Sequence, residues 1–270
     1  SGSDKISPLT AAFAEEPRRT AWPEPGLQPL DPVLEEELGL TFGHYSCPGQ
    51  RQAIHAAFFL RPGGTLVVNL PTGSGKSLVA WAPALLAPPG SLTVMVTPTI
   101  ALAIDQERQL RDQYGRRITI NLPESMAWHS GLSPEAKTQI RRQLADGSQR
   151  ILIASPESIV TSLARPLYES AEAGRLRYFV VDEAHLVAQW GTEFRPEFQS
   201  MCGLRRELLK RCPTAADRFR TLLLSATLSQ ESFDILKELF AGKLFDNVSA
   251  VTLRPEPEYW MSRAPDELVR

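Results

Sequence analysis

A short glycine-rich segment carries the residues best suited to bind a phosphate. The segment Pro71–Ser77 follows the apolar run Leu66–Leu70 and precedes a stretch with helical spacing. Its glycines allow backbone N–H groups to converge on a phosphate, and the following helix adds the positive end of its dipole. A lysine here can reach the β and γ phosphates, and a serine hydroxyl can ligate Mg²⁺. We predict a site for ATP and Mg²⁺ that is formed by Thr72, Gly73, Ser74, Gly75, Lys76 and Ser77. The alternative is an ordinary glycine-rich turn.

Two adjacent acids end a second apolar run. Tyr178–Val181 leads directly into Asp182 and Glu183. An acid at the end of a buried strand, beside a phosphate loop, is placed to hold Mg²⁺, and its neighbour can orient and deprotonate the attacking water. We predict that Lys76 and Asp182 flank one triphosphate–metal pocket at the tips of adjoining strands. A strand that merely ends in solvated acids is the alternative.

Apolar, β-branched runs alternate with longer segments of helical spacing along most of the chain. They predict strands at Leu66–Leu70, Leu92–Thr97, Ile151–Ala154, Tyr178–Val181 and Thr221–Leu224. The segments between them predict helices at Leu78–Leu86, Ile100–Tyr114, Glu157–Leu163 and Glu197–Arg211. This alternation is typical of an α/β fold with a central, mostly parallel β-sheet flanked by helices on both faces. Ligands of such sheets bind at the carboxyl ends of the strands, where the motifs fall.

The two ends of the chain differ in composition from this α/β region. Residues 1–30 contain five prolines and predict a flexible leader, beginning with Ser1–Ser3 as the remnant of a tag. Asp31 and Pro32 predict the start of a short helix that continues through Leu38. We predict an ATP-binding domain at 31–253, followed by a tail at 254–270.

Composition limits the setting and the partners. The chain has no apolar run of eighteen residues, which predicts no membrane span. Its three cysteines are too few and too scattered for a disulfide framework, so a reducing cytoplasm is the simplest setting. Because the net charge is -2, we expect any nucleic acid to be held by a local basic surface and not attracted by the overall charge of the protein.

Three motifs together resemble the motor lobes of superfamily-two helicases. Leu70–Ser77 is similar to the first motif of that family, Asp182–His185 to the second and Ser225–Thr227 to the third. The resemblance implies a RecA-like P-loop domain in which the third motif links the nucleotide state to nucleic-acid binding. It also implies that His185 relays between the acids and that turn, which adds it to the catalytic residues. Turn chemistry alone is the alternative for the third motif.

Two stretches before the phosphate loop resemble the adenine-recognition element of the RecQ branch of DNA helicases. They are Phe42–Tyr45 and Pro48–Gln50, although Cys47 stands where an arginine is usual. The amide of Gln50 can donate to and accept from the adenine edge. His44 or Tyr45 would stack on the ring. A role for Gln50 in starting a helix is the alternative.

The segment Gln189–Phe198 resembles the aromatic-rich loop by which RecQ proteins sense single-stranded DNA. Stacking of an aromatic ring on a base is worth about 1–3 kcal/mol, and an arginine adds a phosphate or cation–π contact. The alternative is that Trp190, Phe194 and Phe198 fill the core.

Thr97-Pro98-Thr99 with Gln106, and Ser155-Pro156-Glu157, resemble the remaining nucleic-acid contacts of a first motor lobe. Hydroxyls and N–H groups at helix starts can meet phosphates, and helix capping is an alternative that can hold at the same time. The predicted DNA-binding or coupling residues are Gln189, Trp190, Phe194, Arg195, Thr97, Thr99, Gln106, Ser155, Glu157, Ser225 and Thr227.

The RecQ resemblance implies a protein that couples ATP hydrolysis to the binding of single-stranded or junction DNA and to duplex unwinding. In that family a second motor domain supplies an arginine finger, worth roughly 10³–10⁵ in rate in related enzymes. We therefore expect these 270 residues to bind nucleotide, to hydrolyse it slowly and not to unwind DNA. The alternatives are a regulatory or scaffold module of a bacterial defence or DNA-modification system, an RNA helicase of the Asp-Glu-Ala-His class, and a small-molecule kinase.

Overall fold

The computed structural model describes residues 28–114, 122–190, 196–240, 242 and 244–250, without the side chains of 188–190 and 196. Most of the predicted leader, and all of the predicted tail at 254–270, lie outside these ranges. The described residues belong to one compact unit, Leu27–Val251. None of the helices in the described ranges is both long enough and apolar enough to cross a membrane.

Seven strands form one sheet within the described residues, and every pairing in it is parallel. In chain order they are β1 (Thr65–Asn69), β2 (Leu92–Val96), β3 (Ala127–Trp128), β4 (Ile151–Ala154), β5 (Leu176–Val181), β6 (Arg220–Ser225) and β7 (Phe245–Ser249). Their order across the sheet is β3-β4-β2-β5-β6-β1-β7. The predicted parallel α/β fold is confirmed, and each predicted strand is present.

Ten helices connect or flank these strands in the described part of the chain. They are α1 (Pro32–Leu38), α2 (Pro48–Phe59), α3 (Lys76–Leu85), α4 (Ile100–Tyr114), α5 (Pro134–Asp146), α6 (Pro156–Val160), α7 (Ala164–Glu172), α8 (His185–Trp190), α9 (Pro196–Arg211) and α10 (Gln230–Phe240). The helix predicted at Glu157–Leu163 is shorter than expected, because it ends at Val160 and α7 begins only at Ala164.

The five strands that lie between β3 and β7 in the sheet are covered on both faces. Val68 and Leu224 point into a cluster formed with α1 to α4, whereas Val67 and Leu223 point into a second cluster formed with α5 to α10. Because alternate residues of a strand face opposite sides, two apolar layers demand the uninterrupted apolar runs seen in the sequence.

The first helix begins where the sequence predicts, after Asp31 with Pro32 in its first turn, and it ends at Gly39. The Asp31 side chain does not cap this helix. It accepts a hydrogen bond from the Tyr45 hydroxyl at 2.7 Å and pairs with His55 on α2. Asp31 therefore connects the start of α1 to Tyr45 and to α2, which both precede the phosphate loop in sequence.

The expectation that Lys76 and Asp182 stand on adjoining strands is wrong. Lys76 follows β1 and Asp182 follows β5, and β6 lies between these two strands. The carboxyl ends of all three strands still meet at one edge of the sheet, because the strands are parallel.

Candidate active site

The phosphate loop is an open turn between β1 and α3. Gly73 and Gly75 have φ angles of 83° and 72°, in the left-handed region that glycine adopts without strain. The Ser74 hydroxyl donates to the Pro71 carbonyl at 2.6 Å and closes the turn. Thr72 and Gly73 are exposed, and Ser77 is half-buried in the first turn of α3. The loop presents its tip to solvent with the helix N-terminus directly behind it.

Lys76 lies within the electrostatic reach of both acids. Its Nζ donates to the carbonyls of Leu70 and Pro71 at 3.1 and 3.3 Å. Burial lowers the pKa of Lys76, while the charges of Glu183 and Asp182 act in the opposite direction. Both acids therefore influence the charge of Lys76 although β6 separates their strands, and the shared triphosphate–metal pocket stays a prediction.

Asp182 and Glu183 form a compact acidic pair at the end of β5. The Asp182 Oδ1 accepts from the Glu183 N–H at 3.0 Å, and its Oδ2 accepts from Gln106 Nε2 at 3.3 Å. Burial, followed by the neighbouring Glu183 charge, raises the pKa of Asp182 to about 6. Glu183 has a φ of 49°, the left-handed backbone conformation that non-glycine residues rarely adopt.

These residues fit a hydrated Mg²⁺ and a triphosphate. A positive ion beside Asp182 would favour the ionised carboxylate and so counteract burial and the Glu183 charge, which both oppose ionisation. Within the described residues no cluster of three or more His, Cys, Asp or Glu side chains could hold a metal by itself. Mg²⁺ usually keeps several waters and binds through one or two carboxylates together with substrate phosphates, and Asp182 offers one such carboxylate. Asp182 and the Ser77 hydroxyl would hold the ion, and the glycine loop and Lys76 would hold the phosphates.

His185 joins the acid pair to the turn that follows β6. Its Nδ1 lies 3.0 Å from Ser225 Oγ and 3.3 Å from Glu183 Oε2. The Ser225 hydroxyl donates to the Thr227 carbonyl at 2.7 Å and accepts from the Thr227 N–H at 3.3 Å. This geometry supports the expected relay, and it also shows the turn chemistry that was the alternative for Ser225 and Thr227.

Gln50 connects the predicted adenine element to the phosphate loop. It is 2% exposed; its Oε1 accepts from the Ser46 N–H at 2.7 Å, and its Nε2 donates to the Gly75 carbonyl at 3.0 Å. The Tyr45 alternative for stacking on adenine is wrong, because its ring is 1% exposed and its hydroxyl is bonded to Asp31. His44 is exposed and remains the predicted stacking residue.

Two predicted nucleic-acid contacts turn away from the surface. Thr97 is fully buried, and its hydroxyl donates to the Thr99 carbonyl at 3.2 Å. Gln106 directs its amide to Asp182. The Thr97 hydroxyl and the Gln106 Nε2 therefore donate to partners inside the domain in this conformation and not to DNA.

Three of the predicted contacts, Thr99, Ser155 and Glu157, line a surface cleft of about 410 Å³ together with Glu197. Thr99 Oγ1 accepts from the Leu102 N–H, and Ser155 Oγ accepts from the Ser158 N–H, so both residues cap helices. Capping was the stated alternative, and it does not exclude a second role at the exposed rim of the cleft.

The aromatic loop is only partly described. Phe194 and Arg195 lie outside the described residues, as do the side chains of Gln189 and Trp190 at the end of α8. Phe198 is 3% exposed and belongs to the same core cluster as Val67 and Leu223. It therefore fills the core, which was the alternative to a role in DNA binding. The roles of the other four residues stay predictions.

A glycine loop between a strand and a helix, with an acid pair two strands away in a parallel sheet, defines a P-loop nucleoside triphosphatase of the RecA-like type. The sequence profile of the DEAD/DEAH box helicases matches residues 47–235. The chain therefore belongs to the DEAD/DEAH box helicase family.

Curated relatives narrow the resemblance to the RecQ branch. The chain is 36% identical over 177 residues to the ATP-dependent DNA helicase RecQ of Synechocystis, a match that covers 65% of this chain and 34% of the relative. It is 31% identical over 182 residues to RecQ of Haemophilus influenzae, covering 65% of this chain and 27% of the relative. The matched part of the chain thus spans about a third or less of the length of these relatives.

Solved structures share the fold. The helicase MrfA bound to DNA has a TM-score of 0.66 at 20% identity, over 84% of this chain and 31% of that one. Mss116p bound to single-stranded RNA and AMP-PNP has a TM-score of 0.59 at 19% identity, over 82% of this chain and 43% of that one. The RecA-like helicase fold is thereby confirmed.

Proposed function

We propose that this chain is the ATP-binding motor lobe of a RecQ-like ATP-dependent DNA helicase. Nucleotide binding is proposed for the chain itself, whereas translocation and duplex unwinding are proposed for the whole protein. The observation that carries the proposal is the convergence of Lys76, Asp182 and Glu183 at one edge of the sheet, connected through His185 to Ser225.

Each residue of the pocket has a distinct task. The loop N–H groups and Lys76 bind the β and γ phosphates, and Ser77 and Asp182 hold the ion. When bound, Mg²⁺ would supply positive charge to neutralise the phosphate oxygens. Glu183 orients the attacking water and takes up its proton. Its side chain is 33% exposed and lies beside His185, so a water molecule from solvent can reach it.

The adenine end of the nucleotide would lie against His44 and the segment that Gln50 fastens. Gln50 already donates to the Gly75 carbonyl, so the base site and the phosphate loop share one hydrogen-bonded connection. If adenine binding shifts Gln50, the phosphate loop would shift with it through this hydrogen bond.

Single-stranded or junction DNA is the proposed nucleic acid. The relatives that match at 30% identity or more include proteins named DNA helicases from bacteria, a plant and a mouse. The aromatic segment Gln189–Phe198, which follows the acid motif in sequence, offers rings on which the bases of single-stranded DNA can stack. The three cysteines are free thiols, which suits the proposed cytoplasmic setting.

The test compares nucleotide binding and nucleic-acid stimulation. We expect the chain to bind a fluorescent ATP analogue in the presence of Mg²⁺, and Lys76→Ala to weaken that binding at least tenfold. Steady ATP turnover should rise more with single-stranded DNA than with a single-stranded RNA of the same sequence, and Glu183→Gln should bind nucleotide but abolish turnover. Absence of Mg²⁺-dependent nucleotide binding would overturn the proposal, and stronger stimulation by RNA would overturn its DNA part.

A further inference from the structure

The amide of Gln106 lies beside the metal-holding acid and not at the nucleic-acid surface. Gln106 belongs to α4, about two turns after Thr99. Its Nε2 donates to Asp182 Oδ2 at 3.3 Å, while the Glu183 N–H holds Asp182 Oδ1. Both carboxylate oxygens are thus oriented by donors from two different elements.

The other end of the same amide has an unused acceptor. Gln106 Oε1 is buried and has no hydrogen-bond partner among the described residues. A buried acceptor without a donor is unfavourable, because it has given up its hydrogen bonds to water. Such an atom next to the metal acid is well suited to accept from a donor that arrives with the ligand, and the donors that a hydrated divalent cation brings are its water molecules.

Helix α4 holds this amide in a fixed place. Glu107, the next residue, accepts from the N–H groups of Met126 and Ala127 at 3.2 and 2.7 Å, and it pairs with Arg111 one turn later. These bonds fasten α4 to strand β3. A rigid helix gives Gln106 the orientation that a ligand positioned through water requires.

We propose that Gln106 is a positioning residue for the metal: its Nε2 orients Asp182, and its Oε1 accepts a hydrogen bond from a water of the hydrated Mg²⁺. This inference rests on the proposed function, since it needs Mg²⁺·ATP in the pocket. The competing explanation is that the side chain only fills space between α4 and the sheet.

The experiment separates the metal-dependent part of nucleotide binding from the rest. Affinity of the 270-residue chain for a fluorescent, non-hydrolysable ATP analogue is measured with Mg²⁺ and with EDTA, and Mn²⁺ binding to the nucleotide complex is followed by electron paramagnetic resonance. Gln106→Met removes donor and acceptor while keeping the length of the side chain. We expect it to reduce the Mg²⁺-dependent gain in affinity about 10- to 100-fold and to leave affinity in EDTA unchanged.

The helix offers a matched control. Gln109 lies one turn further along α4 and bonds to Asp105 of the same helix, so Gln109→Met should behave like wild type in every measurement. Circular dichroism and thermal melting establish that each variant is folded.

Each outcome decides a different statement. A wild-type chain without any Mg²⁺-dependent gain would overturn the proposed function itself. If wild type shows the gain and Gln106→Met shows the same gain, the inference about Gln106 is overturned while the proposed function stands. Equal losses with Mg²⁺ and with EDTA, or equal losses in the Gln109 control, would assign the side chain a packing role and also overturn the inference.

Discussion

Replacing Asp182 by asparagine should stabilise the metal-free protein at neutral pH while it removes metal binding. Burial and the charge of Glu183 raise the pKa of Asp182 from 3.8 to about 6. At pH 7 the folded state therefore contains an ionised carboxylate in surroundings that oppose its charge. A tenfold change in proton affinity corresponds to about 1.4 kcal/mol, so the cost of this carboxylate is about 3 kcal/mol.

The pH dependence of this cost has a definite sign. Between about pH 4 and pH 6 the folded state keeps a proton on Asp182 that the unfolded state has released, so the free energy of unfolding falls as the pH rises through this window. Below it both states are protonated and the cost is absent; above it the full cost is present. Asparagine does not titrate, and the variant loses this slope.

Urea unfolding in EDTA measures the effect. We expect Asp182→Asn to be more stable than wild type by up to about 3 kcal/mol at pH 7, less what the neutral amide loses as a weaker acceptor from Gln106 and the Glu183 N–H. The difference should shrink towards zero near pH 4. Glu36→Gln, at an exposed position of α1, removes one negative charge elsewhere and serves as the control. A variant less stable than wild type at pH 7, or a difference that does not change with pH, would refute the reasoning.

The remaining predictions concern the loop, the adenine element and the relay. Gly75→Ala should weaken nucleotide binding more than Gly73→Ala, because both have positive φ but only the methyl at 75 would lie 2.2 Å from the Gln50 amide; titrations giving equal affinities would contradict this. Tyr45→Phe should lower the free energy of unfolding by about 1 kcal/mol without changing ATP affinity, whereas His44→Ala should weaken ATP binding. A double-mutant cycle of His185→Ala and Ser225→Ala in urea unfolding should give a coupling of about 0.5–1.5 kcal/mol, and strictly additive effects would argue against the bond.

The central strands could be predicted from sequence because helices cover both faces of the sheet, and every position of β1 and β2 is buried. The two edge strands, β3 and β7, lack the long apolar run that marks a buried strand in the sequence. Strand β3 has two residues, and in β7 only Val248 is buried. The strand order was also out of reach, because the insertion of β6 between β5 and β1 depends on pairings between residues far apart in the chain.

The same limit applies to single side chains. Sequence identified the residue types of the phosphate loop and the acid motif, whose roles follow from local spacing. It could not show that Tyr45 is buried against Asp31, or that Gln106 reaches Asp182, 76 residues away. Arg205 is a further case. It stands among the basic residues Arg206, Lys210 and Arg211, a composition that usually indicates a solvated helix face. In the structure Arg205 is 2% exposed and donates to the hydroxyls of Thr65 and Thr221 near the amino ends of β1 and β6.

The position of β6 explains how three motifs separated in sequence can act together. The N–H of Leu70, at the start of the phosphate loop, donates to the Ser225 carbonyl at 3.1 Å, and the N–H of Ala184 donates to the Leu224 carbonyl at 2.8 Å. The end of the middle strand is therefore bonded to the loop on one side and to the acid motif on the other, and His185 adds a side-chain contact to the same serine. If β1 and β5 were adjoining, the loop and the acids would meet directly and the Ser225 turn would lie outside their contact. Because β6 intervenes, a shift of that turn must move a hydrogen-bond partner of both halves of the nucleotide site.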